Sequence, residues 1–199
     1  MRSIQVKLLL ILLSMATAGF AQSGAHKMAD PPKVQTEAEK SFAALKALAG
    51  TWEGPVKLDT TAFGKPDDDG MQVTMRVTSR GNALVHEMRD PKTPDDPTKY
   101  DHPITMFYLD SDRLLLTHYC DAGNRPRMAA RVSEDGKKIE FDFLDVAGSV
   151  KHGHMYHAVF TIIDADHHTE DWTYMLPGDK QVHAHAELQR AKQQQASAR

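Results

Sequence analysis

The connections between strands constrain this chain more than the strands do. Ten stretches of period-two hydrophobicity run from residue 51 to residue 189: Thr51–Asp59, Met71–Ser79, Ala83–Arg89, Ile104–Leu109, Arg113–Tyr119, Arg127–Ser133, Lys138–Phe143, His154–Ile163, His168–Met175 and Gln181–Gln189. The alternation is cleanest where Val73, Met75 and Val77 interleave with Gln72, Thr74 and Arg76. Tight turns rich in Gly, Asn and Asp (80–82, 110–112, 134–137, 164–167) join alternate pairs. The intervening connections (60–70, 90–103, 120–126, 144–153, 176–180) are mostly longer. In an up-and-down antiparallel barrel, successive connections fall at opposite ends. One end is therefore tight, and the other carries the long loops as an open rim. The 90–103 connection holds Pro91, Pro94, Pro97 and Pro103, which oppose regular pairing, and is expected to form the largest flap.

The tight end has its own signature. A helix pattern over 35–49, with Phe42, Leu45 and Leu48 on one face and Gly50 as its stop, leads directly into the first strand. That strand opens Gly50-Thr51-Trp52, and the last ends Glu187-Leu188-Gln189-Arg190. This arrangement resembles the calycin barrels: lipocalins, fatty-acid-binding proteins and nitrobindins. The resemblance implies that Trp52 closes the barrel floor and Arg190 packs over it. It implies an all-β barrel of about ten strands, its floor plugged by the N-terminal helix and its cavity holding a small molecule. The stretch from Leu116 to Met128 is similar to one in uncharacterised exported bacterial proteins with lipocalin-like barrels.

The first 21 residues read as a secretory signal: Arg2 and Lys7, an apolar run from Leu8 to Met15, then small residues near a cleavage site. Residues 22–34, with Pro31-Pro32, read as a linker, 35–190 as the barrel domain and 191–199 as a polar tail. A periplasmic or secreted location is expected. Removal of the signal leaves 22 basic against 27 acidic residues with no basic stripe, which argues against nucleic acid or an anionic membrane surface as partner. The apolar run is too short to span a bilayer. Cys120 is the only cysteine, so no internal disulfide forms.

Most of the eleven histidines gather toward the rim. His118 and Cys120 end the fifth strand, Asn124 and Arg127 border the following loop, His154 enters the eighth strand, and His183 and His185 lie in the upper part of the tenth. His86 shares a strand face with Leu84 and Met88 and is expected to point inward. His167 and His168 fall at a floor turn, where solvent exposure is the simple expectation. The ligand-binding candidates are His86, His118, Tyr119, Asn124, Arg127, His154 and His185. Imidazoles facing a cavity can ligate a metal or polarise a ligand, and Asn and Arg donate to carboxylates or carbonyls. On the tenth strand the alternation with Val182, Ala184, Ala186 and Leu188 equally fits a wet outer face. No zinc-type spacing occurs, and no metal site is expected.

Three functions compete. The first is an exported binding protein holding a small, partly apolar or anionic ligand. The second comes from the resemblance to nitrobindins, whose Gly-Thr-Trp-Glu-Gly opening matches Gly50 to Gly54. It implies haem as cofactor, reactive nitrogen species as substrate, and His183, seven residues before Arg190, as iron ligand. The Gly-rich continuation of that family is replaced here by Pro55-Val56-Lys57-Leu58. The third is a cofactor-independent enzyme using His118 as base and Cys120 as nucleophile, two residues apart on one strand face.

Overall fold

A computed structural model describes residues 34–59 and 70–192. The expected signal, nearly all of the linker, most of the 60–70 loop and the tail beyond residue 192 lie outside the described residues. The helix α1 (Glu37–Ala47) starts at a capping box: the Thr36 hydroxyl accepts from the Glu39 amide, and the Glu39 carboxylate accepts from the Thr36 amide. Its apolar face buries Phe42 and Leu45.

The strands follow as β1 (Gly50–Gly54), β2 (Val56–Leu58), β3 (Met71–Thr78), β4 (Ala83–Arg89), β5 (Ile104–Asp110), β6 (Arg113–Tyr119), β7 (Arg125–Val132), β8 (Lys138–Ala147), β9 (His154–Ile162), β10 (His167–Leu176) and β11 (Lys180–Arg190). From β3 onward each pairs antiparallel with the next. The wall closes where β11 pairs with β1, Trp52 opposite Arg190, and with β2, Ala184 opposite Leu58. β1 and β2 are halves of one wall strand broken at Pro55, so the barrel has ten strands. The backbones come very close at the break. A Cβ on Gly54 would sit 1.8 Å from the Glu187 carbonyl oxygen, which only glycine avoids.

The sequence pattern locates the strands closely and misses the ends of β7 and β8. Both run on toward the rim, from Arg125 and to Ala147. The register slips between Arg127 and Met128, which oppose Asp145 and Phe143. An extra residue at a bulge breaks the period of two that marks a strand in sequence.

The floor is closed by Trp52, which is fully buried. Its indole N–H donates to the Leu48 carbonyl at 2.7 Å, and the Arg190 guanidinium lies 4.1 Å from its ring centroid. Arg190 also donates to the carbonyls of Ala49 and Ala165, tying the end of the helix segment to the β9–β10 turn. Above the floor the barrel is packed rather than hollow. Phe107, Phe141 and Phe160 meet at 5.3–6.0 Å between centroids among Leu84, Leu116 and Met128, all fully buried.

His168 corrects one expectation. It is fully buried, because β10 already begins at His167 and the alternation turns His168 inward with Glu170 and Trp172. Its ring stands edge-on to Trp52 at 4.3 Å.

Candidate functional site

The inward residues of β10 form a column from floor to mouth: His168, Glu170, Trp172 and Tyr174. Glu170 is the hinge of a buried polar cluster. Its carboxylate lies 3.0 Å from His86 Nε2 and 3.0 Å from His168 Nε2, and accepts from the Trp172 indole N–H at 2.9 Å. Burial alone would raise the Glu170 carboxyl. The charge of His86 and the donors of both imidazoles outweigh it and hold the group well below the usual carboxylate range. His86 therefore points inward, into a network completed by residues of β10.

Above Trp172 the packing opens into a cavity of about 370 Å³, whose walls include Leu58, His118, Met155, Trp172, Val182 and Ala184. Asp101, Cys120, Asp121 and Tyr174 also border it. Asp101, Cys120 and Asp121 are shared with an outer cleft under the 90–103 loop, so they mark the boundary between cavity and exterior. The loops around it brace one another. Asn124 Nδ2 donates to the carbonyls of Ser149 and Gly153, and the Tyr174 hydroxyl donates to the His152 carbonyl.

His118 is the fully buried polar side chain of the cavity wall. Its Nδ1 shares a hydrogen bond with Thr105 Oγ1 at 2.9 Å. Nε2 has no partner among the described residues. Burial, with a smaller contribution from the charge of His86, lowers its pKa to about 3. The ring is neutral at physiological pH and offers Nε2 for one hydrogen bond to a cavity occupant.

The other candidates fall elsewhere. Tyr119 is exposed and lines the outer cleft. Asn124 is buried and does not line the cavity; its amide nitrogen is spent on loop carbonyls, and Oδ1 has no partner among the described residues. Arg127 stands outside the barrel in a two-pronged ion pair with Asp145. The register slip between Thr173 and Tyr174 brings Met155, not His154, to the cavity; His154 packs on Phe143 at 4.9 Å. On β11 the cavity side belongs to Val182 and Ala184. His183 and His185 are on the outer face, bonded to Thr173 and Asp171. The gathering of histidines at the cavity mouth thus reduces to His118.

This placement decides between chemistries. The residues present do not fit the haem site implied by the nitrobindin resemblance, since the expected iron ligand, His183, lies outside the wall. A thiolate mechanism is also poorly served. With its pKa lowered to about 3, His118 is too weak a base, and burial with the nearby Asp101 and Asp121 raises the Cys120 thiol. Glu140, Asp142 and His157 bring ligand atoms within 4.8 Å of one another on the outer wall, but Arg131 already pairs with both carboxylates.

The chain matches no protein-family model and no curated protein in sequence. Among solved structures it is similar to Rv2717c from M. tuberculosis, with a TM-score of 0.57 and 15% identity over 76% of this chain and 98% of that one. A protein of unknown function of the DUF3598 family from Nostoc punctiforme aligns at a TM-score of 0.40 and 10% identity, over 74% of this chain and 48% of that one. The first likeness is one of fold: a closed antiparallel barrel. The second is too remote to argue from. Among the described residues no helix is long and apolar enough to cross a membrane.

Proposed function

We propose that the protein is a calycin-like binding protein that holds a small, largely apolar molecule in the cavity beneath its rim. The observation that carries this reading is His118 Nε2: a fully buried polar atom without a partner, on a residue that lines an otherwise mostly apolar cavity. Leaving such an atom unpaired costs free energy, and a ligand donor or acceptor restores the bond. The volume lies within the range of small-molecule sites. The leader-like first 21 residues support export, and we place the protein in the periplasm or outside the cell.

The test is a titration with a neutral environment-sensitive fluorophore, Nile red, monitored by its emission. Saturable binding is expected in the unaltered chain. Ala184→Phe, which fills the cavity, should abolish it. Equal binding by both proteins would place the dye elsewhere and overturn the reading.

A further inference from the structure

We propose that the cavity selects organic cations: an ammonium group held at the mouth by Asp101 and Asp121, beside Tyr174, with an apolar body directed inward against Met155 and Trp172. This rests on the small-molecule reading above and assigns the charge of the ligand.

The argument begins with the two carboxylates. Asp101 and Asp121 both border the cavity, and the Asp121 amide donates to Asp101 Oδ1 at 3.2 Å. Neither makes a salt bridge among the described residues. His102 is the nearby basic side chain, and its Nδ1 is directed to Glu87 at 3.3 Å and Asp95 at 3.9 Å. Partial burial and the neighbouring Asp121 raise the Asp101 carboxyl against a lowering by His102, and burial, with smaller contributions from both aspartates, raises Cys120 and Tyr174. The mouth is therefore a place where two carboxylates gather, with His102, among the described residues, as the one opposing charge acting on Asp101. No Lys or Arg lines the cavity among the described residues, and His118 is neutral. An anion entering here meets repulsion and no compensating donor charge. An ammonium meets two carboxylates and aromatic faces, the surroundings that stabilise organic cations. Val182 lies level with Tyr174, and deeper in, level with Trp172, Ala184 and Leu58 present apolar surface. His118 Nε2 is a second, independent mark of a built site, since it lies in the same wall and is buried without a partner.

The experiment is calorimetric titration of the full chain at pH 7 with three probes of matched shape: 2-phenylethylamine, 2-phenylethanol and phenylacetate. The amine is expected to bind roughly tenfold or more tighter than the alcohol, and the alcohol tighter than phenylacetate. In Asp101→Asn/Asp121→Asn the amine should fall to the affinity of the alcohol, while the alcohol is unchanged, which also reports that the cavity is intact. In the unaltered protein, added salt should weaken the amine and leave the alcohol alone. Equal binding of all three probes overturns the cation assignment and leaves the apolar cavity standing. Tighter phenylacetate, or an amine preference that survives both the substitutions and high salt, also overturns it. Binding of none of the three overturns both readings.

Discussion

Trp172 joins two environments: its indole N–H donates to Glu170 in the buried polar cluster, and its ring forms part of the cavity wall. The same side chain satisfies an ion in the packed middle of the barrel and supplies the apolar surface a ligand meets. Trp172→Phe separates these roles. The ring is largely retained, and one donor to Glu170 is lost. A loss of about 1–3 kcal/mol in urea unfolding is expected, with Nile red binding preserved.

Glu170→Gln leaves the facing imidazoles without their carboxylate at the centre of the fold. Removing a fully buried, hydrogen-bonded charge from such a cluster costs about 3–5 kcal/mol. The expected result is a large drop in the urea midpoint with little change in slope. A change below about 1 kcal/mol would show that the cluster is held by neutral hydrogen bonds alone.

Acid should act in two stages. His118 is depressed from 6.5 to about 3 in the fold, so the unfolded chain binds a proton the folded chain refuses. That contribution is complete above pH 6.5 and is lost as pH falls toward 3. Glu170 is also depressed in the fold, so its contribution stands above its unfolded value of 4.5 and is lost below it. Urea midpoints measured from pH 7 to 4 should decline from about 6.5 downward in the unaltered protein. In His118→Leu the decline between 6.5 and 4.5 should become shallower, the part owed to His154 remaining since burial lowers that imidazole too, and the fall below 4.5 should remain.

Trp52→Ala opens the floor beneath His168 and removes the platform for Arg190. The expected loss is about 3–5 kcal/mol, as for other buried aromatics, measured by chemical unfolding.

Arg127→Ala tests the outer wall. Its ion pair with Asp145 is solvent-exposed, and such pairs contribute little. Neither Nile red affinity nor the order of the three phenyl probes should change.

Much of this architecture is legible before any coordinates. Alternating connection lengths put Trp52 and Arg190 at one end, and the strand pattern makes them the two sides of the seam. The site was less visible, for physical reasons. On β10, His168, Glu170 and Trp172 alternate with Thr169, Asp171 and Thr173, so both faces read as polar and Glu170 gives no sign of burial. The slip between Thr173 and Tyr174 lets Met155 take the place expected of His154. His183 and His185 follow the inside-out alternation with Val182 and Ala184, a pattern that already allowed an outer face. Asp101 sits in a proline-rich loop, where the linear pattern does not reveal its approach to Asp121.

The seam between β1 and β11 also sets an order of events. Trp52 meets Arg190 across 138 positions of chain, and Arg190 holds the Ala49 and Ala165 carbonyls as well. Contacts this distant in sequence form late and slow folding. A ribosome releasing this chain delivers every other wall strand before β11, the one that closes the circle. Until β11 emerges, both edges of the sheet are unpaired. A chain that stops before residue 180 has two open edges and no cavity.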